Sequence, residues 1–254
     1  MQVINKIFIF SIVSLLHSNV SEDILYGVLN RLEKIDHEYQ VHYEEKTKNK
    51  PIKTRVFSTA VHWPSSGDIS KKVYLKMLKP QKMQEVQYWE HHFKETIKIN
   101  KWMTMPVTGD LKDISNKNKK GSSFDLSDIE ITEELILTHD SEIVDQKSIK
   151  NDSLIVIKCT KKNTDSELEH KILWVNKKHL FVHKAEFYNN SGKLYKEIEC
   201  IDLHKNQAIV FPKEILIKDH KKKKEINIII SNVKFDYSFN LNIFKPKPFT
   251  KNDN

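Results

Sequence analysis

Residues 53–79 read KTRVFSTAVHWPSSGDISKKVYLKMLK, and this stretch decides the fold of the chain. In each half, one set of alternate positions is largely apolar: Phe57, Thr59, Val61 and Trp63, then Val73, Leu75 and Met77. Successive side chains of a strand point to opposite faces, so a period of two indicates β-strands with one apolar face. The stretch therefore predicts two strands, the second ending before Pro80.

Similar strand-like segments continue almost to the end of the chain. They lie at 39–43, 84–91, 96–105, 154–160, 170–175, 180–188, 193–202, 208–218 and 225–235. The sequence Asn-Asn-Ser-Gly at 189–192 is a turn signal between two of them. About ten strands at hairpin spacing predict a mainly β meander that curls into a barrel or half-barrel.

Two helices are predicted beside the strands. Apolar residues recur at spacings of three and four between Ile24 and Ile35, which gives one apolar stripe on a helix, with Ser21 as its N-cap. A shorter helix is predicted at 132–137.

The first 21 residues differ in kind from the rest. Lys6 precedes a ten-residue apolar run at 7–16, and Ser18 and Ser21 follow. This order is typical of a secretory signal peptide, and the run is shorter than the ~20 residues that span a bilayer. We expect a signal peptide at 1–21, a single exported domain at 22–254, and a periplasmic location. The alternative is a buried N-terminal helix or strand.

The formal charge of +8 does not indicate a nucleic-acid partner. Of 42 basic residues, only Arg31 and Arg55 are arginines, and arginine is the side chain favoured for bidentate contacts with bases and phosphates. The lysine run at 221–224 lies between two predicted strands and is expected to be a solvated hairpin turn.

The motifs of catalysis and metal binding are missing from the sequence. It contains no Gly-x-Ser-x-Gly elbow, no glycine-rich phosphate loop and no His-Glu-x-x-His. Cys159 and Cys200 each fall inside a predicted strand, and their spacing leaves open whether they are bonded. We expect a binding protein rather than an enzyme, with no cofactor and no metal.

Five groups of residues, in order along 52–249, resemble a known family. They are YLKMLKP at 74–80, KWMTMP at 101–106, SFDLSDI at 123–129, LWVNK with AEFY and GKL at 173–194, and FPKE at 211–214 with Phe249. The family is that of the outer-membrane lipoprotein-sorting proteins, the LolA-like carriers. The resemblance implies an unclosed (half) antiparallel β-barrel, LolA/LolB-like, with helices as a lid over its concave face.

What the resemblance implies about function is an apolar groove that holds acyl chains of lipoproteins or lipids. An inner-membrane transporter and an outer-membrane acceptor are the implied partners. For each single side chain, ordinary core packing is the alternative. The expected groove residues are Phe57, Val61, Val73, Leu75, Met77, Trp89, Ile97, Ile99, Met103, Phe124, Trp174, Ile228 and Ile230.

Arg55 shares a strand face with Phe57 and Val61, where a charge is costly unless it is paired or hydrogen-bonded. Its head either reaches water at the rim or points into the concave face. The resemblance implies that an inward arginine is a latch, which bonds the backbone carbonyls of the lid when the groove is empty. A different function on the same scaffold is an envelope interaction or sensor module without transported cargo.

Overall fold

Thirteen strands make up most of the part of the chain that the structure describes. The structure, a computed structural model, describes residues 20–249 except 85, 95, 97, 116–130, 150–151, 163–168 and 207–208. The strands are β1 (His37–Thr47), β2 (Lys53–His62), β3 (Ile69–Lys79), β4 (Gln87–Phe93), β5 (Ile99–Thr104), β6 (Leu111–Asp113), β7 (His139–Ile149), β8 (Asp152–Lys161), β9 (His170–Asn176), β10 (Phe181–Tyr188), β11 (Leu194–Asn206), β12 (Ile209–Asp219) and β13 (Lys224–Phe235).

The strands form one antiparallel sheet in the order β6-β5-β4-β3-β2-β1-β13-β12-β11-β10-β9-β8-β7. Over the described residues the sheet is not closed, and β6 and β7 are its two edges. The predicted fold class, mainly β with an unclosed antiparallel barrel, is confirmed. The sequence patterns missed β7 because it is an edge strand with most of its side chains in water, so it lacks apolar alternation.

Two helices accompany the sheet within the described residues. Helix α1 covers 20–30, and α2 (Glu133–Thr138) is capped by the Thr132 hydroxyl, which accepts a hydrogen bond from the Leu135 amide. Ser21 is not the predicted N-cap, because residue 20 is already helical and the buried Ser21 hydroxyl lies 2.8 Å from the Ser141 hydroxyl. No helix in this part of the chain is long and apolar enough to cross a membrane.

The chain forms two compact units. The first contains α1, α2, β7–β11 and the greater part of β12. Its core is a row of buried side chains that face one another across four strands: Ile157, Leu173, Ala185 and Ile198. Helix α1 is held to this unit by the Ser21 contact and by Arg31, which donates a hydrogen bond to the Val210 carbonyl at 2.8 Å.

The second unit contains β1–β6, β13, a short part of β12 and the C-terminal segment. A 3₁₀ turn at Leu241–Phe244 covers one face of its sheet. Trp89 Nε1 donates to the Ile243 carbonyl at 2.8 Å, and His91 Nε2 lies 2.9 Å from the Phe244 carbonyl. Phe244 is buried there beside the ring of His62. The C-terminal segment therefore shields this face from water, while Phe57 and Val61 of β2 lie on the other face.

Candidate functional site

Four neighbouring strands of the second unit place apolar side chains on one face. Val41 of β1 lies opposite Phe57 of β2 and Ile230 of β13, and Phe57 lies opposite Met77 of β3. We call this set the apolar face: Val41, Phe57, Val61, Val73, Leu75, Met77, Ile228 and Ile230. Seven of its eight members were predicted from sequence. The face exists because apolar residues occupy alternate positions on strands that pair in register.

The apolar face extends toward the edge of the sheet through β4 and β5. Leu75 lies opposite Tyr88, and Tyr88 lies opposite Met103. Ile99 lies on the same side, opposite His92. Leu75, Met103 and Ile99 are half-buried, whereas Phe57 is only 3% exposed. The half-buried residues are therefore the more accessible part of the face.

Trp89, predicted to line the groove, lies on the opposite face of the sheet. Its neighbours Tyr88 and Glu90 point toward the apolar face, so strand alternation turns Trp89 away. It is fully buried, and its ring lies 5.7 Å from that of Tyr74. Trp89 is a core residue beneath the C-terminal segment.

Trp174, also predicted to line the groove, belongs to the first unit. It lies opposite Lys184, whose ammonium group sits 5.0 Å from the centre of the indole ring. Lys184 forms an ion pair with Glu186 at 2.7 Å. The ring therefore lies among charged groups, while its strand neighbours Leu173 and Val175 are buried on the other face. Ile97 and Phe124 lie outside the described residues.

A group of charged side chains adjoins the apolar face at the β1–β2 turn. The Glu45 cluster comprises Tyr43, Glu45, Lys53, Arg55 and Lys224. The Tyr43 hydroxyl donates to Glu45 at 2.7 Å, while Lys53 and Lys224 approach its two oxygens at 3.4 and 3.3 Å. The Arg55 guanidinium lies 5.5 Å from the centre of the Tyr43 ring.

Electrostatics holds Glu45 ionised in the cluster. Burial by itself raises the pKa of its carboxyl, but the Tyr43 hydroxyl and the charge of Lys224 outweigh it and bring the pKa below its usual 4.5. Burial, followed by the bond to Glu45, raises the pKa of Tyr43 well above its usual 10. The phenol therefore stays protonated and keeps donating to the carboxylate.

A second carboxylate group lies at the other side of the apolar face. Glu90 accepts hydrogen bonds from Tyr88 and from His92, the latter at 3.0 Å, and forms an ion pair with Lys101 at 2.9 Å. Burial tends to raise the pKa of Glu90, but His92, Lys101 and Tyr88 together hold it far below its usual value. Glu90 thus remains an anion next to the apolar Val73.

One hydroxyl group lies in the middle of the apolar face. Thr59 is 1% exposed and lies between Tyr39 of β1 and Leu75 of β3. Its Oγ1 has no hydrogen-bond partner among the described residues. Thr59 thus places a polar group within an otherwise apolar surface. A buried hydroxyl without a partner is destabilising, so this position lowers the stability of the fold.

Sequence reasoning singled out Arg55 but missed the other members of the Glu45 cluster, although a signal for Glu45 was available. Buried and more exposed side chains alternate along 37–45, and Glu45 lies on the same face of β1 as the buried Tyr39, Val41 and Tyr43. The predicted solvated turn is confirmed at 221–223, but Lys224 departs from it: its side chain is 11% exposed and pairs with Glu45. That pairing spans 179 positions of the chain.

The two cysteines and the histidines supply no further site. Cys159 and Cys200 are buried free thiols, and burial raises the pKa of each to about 12. Such thiols are protonated and poorly nucleophilic at neutral pH. Within the described ranges, no three His, Cys, Asp or Glu side chains gather in a way that could hold a metal ion.

The fold is shared with known structures. A family model described as "Uncharacterized protein" matches residues 70–251, and no curated protein sequence matches the chain. The crystal structure of a DUF1329 family protein from Desulfovibrio piger is similar with a TM-score of 0.74 at 15% identity, over 90% of this chain and 97% of that one.

Two further solved structures show the same likeness. An outer membrane lipoprotein-sorting protein domain from Vibrio parahaemolyticus has a TM-score of 0.72 at 18% identity, over 90% of this chain and 97% of its own. A LolA superfamily protein from Nitrosomonas europaea has a TM-score of 0.62 at 16% identity, over 89% and 97%. The predicted LolA-like resemblance is therefore confirmed at the level of the fold.

Proposed function

Because the chain belongs to the family described as "Uncharacterized protein" and shares its fold with lipoprotein-sorting proteins, we propose that it carries acyl chains. The cargo is a lipoprotein or a lipid, and its hydrocarbon chain lies on the apolar face. The observation that supports this is the row formed by Phe57, Met77, Val61 and Val73, with the half-buried Leu75 beside it. The proposed role is binding and delivery, not catalysis.

The energetics suit a carrier. Each buried methylene gains about 0.8 kcal/mol, so eight of them gain roughly 6 kcal/mol without any directional contact. Such binding is tight enough to keep a chain out of water and tolerates different chain lengths. It is also reversible once the groove opens, which delivery requires.

The proposed setting is the periplasm, reached through the signal peptide predicted at 1–21. Cargo would come from an inner-membrane transporter and pass to an outer-membrane acceptor. Arg55 is the proposed latch of the groove: it lies on the face of Phe57 and is half-buried. In this proposal its guanidinium bonds backbone carbonyls of the lid while the groove is empty.

Bound cargo is the direct test. The protein, purified from its native envelope, should carry acyl-containing species that mass spectrometry detects, and the stripped protein should take up a fluorescent fatty acid. A protein that is recovered empty and takes up no fatty acid would refute the proposal.

Variants locate the binding face. Leu75→Asp introduces a charge at a half-buried position and should abolish uptake, because an ionised carboxylate next to an acyl chain is costly. Phe57→Asp should act in the same way but also threatens the fold. Ser58→Asp is the matched control, since Ser58 lies on the other face of β2, opposite Lys76. Unchanged uptake by Leu75→Asp, with circular dichroism as in the parent, would show that the chain binds elsewhere.

One observation favours a second function. Phe57 and Ile228 are 3% and 1% exposed, as expected if protein side chains fill the interior. An envelope interaction or sensor module on this scaffold would have such an interior and would bind a protein instead. Crosslinking in intact cells that recovers a defined protein partner, together with no lipid uptake, would favour this function.

A further inference from the structure

Two hydrogen-bonding groups at the apolar face are not satisfied by any other described residue. In the part of the chain that the structure describes, the buried side-chain atoms without a hydrogen-bond partner are Thr59 Oγ1, Trp63 Nε1, Asn176 Nδ2 and Asn227 Oδ1. Asn176 belongs to the first unit. Asn227 precedes Ile228 on β13 and therefore points to the other side of the sheet. Thr59 and Trp63 remain for the apolar face.

Thr59 has apolar neighbours along its own strand and across the sheet. It lies two positions from both Phe57 and Val61 on β2, so the three side chains share a face. On the adjacent strands it is opposite Tyr39 and Leu75. Leu75 is half-buried, whereas Thr59 is 1% exposed. The Thr59 hydroxyl therefore lies beside the more accessible part of the surface proposed to hold the acyl chain.

Trp63 continues the same row just beyond the end of β2. The Lys71 ammonium group lies 5.7 Å from the centre of its ring, and Lys71 shares a face of β3 with Val73. The indole therefore lies at one end of the apolar face. An indole N–H only donates a hydrogen bond, and a threonine hydroxyl can also donate one. Both groups are thus suited to an oxygen acceptor.

A buried donor without a partner lowers stability and favours binding of an acceptor. When the protein folds, the Thr59 hydroxyl loses its hydrogen bonds to water, and no described residue replaces them. An acceptor that reaches this hydroxyl gains a hydrogen bond without further desolvation of the protein. Valine would keep the shape of the side chain and avoid the loss. Departures of this kind from the packing rules are expected at functional sites.

We propose that the Thr59 hydroxyl donates a hydrogen bond to the carbonyl oxygen that links the acyl chain of the cargo to its head group. This inference rests on the proposed function and specifies its cargo: an ester-linked or amide-linked acyl chain rather than a plain hydrocarbon. The hydrocarbon lies over the apolar neighbours of Thr59, and the linkage is held by the hydroxyl. Thr59 is then a specificity-determining residue of the groove.

The test compares two lipids that differ only at this carbonyl. Monoacylglycerol and the alkyl ether of glycerol with the same chain length carry a carbonyl and a methylene, respectively, at the same position. Each competes for the protein against a fluorescent fatty alcohol. An apolar groove alone would prefer the ether, because a methylene gains more than a carbonyl by leaving water. One hydrogen bond to a buried group corresponds to about a fivefold gain in affinity, so we expect the parent to bind the ester about fivefold more tightly.

Three single variants then assign the preference to Thr59, with circular dichroism as the check on folding. Thr59→Val should lower the ratio of ester affinity to ether affinity at least about fivefold, because it removes only the hydroxyl. Thr59→Ser keeps the hydroxyl and should retain the preference for the ester. Ser58→Ala is the control, since it removes a hydroxyl from the neighbouring position on the other face of β2, opposite Lys76. Its ratio should equal that of the parent.

Each outcome separates the inference from the proposed function. Equal affinities, or tighter binding of the ether by the parent, would overturn the Thr59 contact and leave the carrier intact, whereas failure of both lipids to compete would overturn the carrier. A ratio that is unchanged in Thr59→Val, or that falls as far in Ser58→Ala, would also refute the contact. N-acylethanolamine carries the same carbonyl in an amide, and a higher affinity for it than for the ester would assign the contact to an amide-linked chain.

Discussion

Thr59 offers a test of the apolar face, because replacing this buried residue is predicted to stabilise the protein rather than destabilise it. Replacing Thr59 by valine keeps the shape and β-propensity of the side chain and removes a hydroxyl that is buried without a partner among the described residues. Most substitutions of a buried residue destabilise a protein. Here the free energy of unfolding should rise.

The magnitude follows from the state of the hydroxyl. An unpaired buried polar group costs about 1–3 kcal/mol in proteins, and the side chain of Thr59 is 1% exposed, so nearly all of that cost applies. We expect Thr59→Val to stabilise by about 1–2 kcal/mol, which corresponds to a rise in Tm of roughly 2–4 °C per kcal/mol for a chain of this size.

The matched control is Thr104→Val. Thr104 is also a buried strand threonine, at 0% exposure, but its hydroxyl accepts a hydrogen bond from the Gln87 amide at 2.7 Å. Removing it leaves that buried amide without its acceptor and should destabilise by about 1–3 kcal/mol.

Urea denaturation at pH 7, followed by tryptophan fluorescence, measures both changes. The two Thr→Val substitutions should shift the midpoint in opposite directions at equal slope. If Thr59→Val lost as much stability as Thr104→Val, the Thr59 hydroxyl would have to be hydrogen-bonded in the native protein. The inference that the Thr59 hydroxyl is buried without a partner would then be refuted.

Three further perturbations test other parts of the structure. The pKa of Glu90 is lower in the folded state than its usual 4.5, so the stability that Glu90 contributes is present above that value and is lost as the pH falls below it. The free energy of unfolding from urea titrations should therefore change less between pH 7 and pH 4 in Glu90→Gln than in the parent. Arg55→Leu should leave the fold intact and slow the release of a neutral fluorescent lipid. A release rate equal to that of the parent would refute the proposed latch. Gly109 has a φ of +73°, and a Cβ there would lie 2.8 Å from the Phe249 carbonyl oxygen; Gly109→Ala should lower the free energy of unfolding by at least about 1 kcal/mol, measured as a fall in Tm.

Periodicity made much of the fold predictable. The largely apolar alternate positions in 57–63 and 73–77 indicated both the strands and the side chains that share a face, because alternation is a local property of an extended backbone. The apolar stripe after Ser21 indicated a helix for the same kind of reason. The limit of local patterns is visible at β7, an edge strand in water whose sequence has no apolar alternation.

Composition alone could not place the tryptophans. An aromatic side chain is apolar whichever face it occupies, so Trp89 and Trp174 were assigned to the groove by residue type. Only the pairing of Trp89's neighbours with Leu75 and Met103, and the C-terminal segment that donates a carbonyl to its indole, decided that it faces the other way.

The sequence by itself determined the class of fold, the strand faces and the apolar character of the surface on β2 and β3. Only the tertiary structure decided which distant charges meet at its end. Lys224 reads as the last residue of a solvated lysine run, yet the antiparallel pairing of β13 with β1 brings its ammonium group to Glu45. Strand pairing is non-local: a strand's own residues specify its two faces, but the register with a partner far along the chain depends on the burial of the whole sheet.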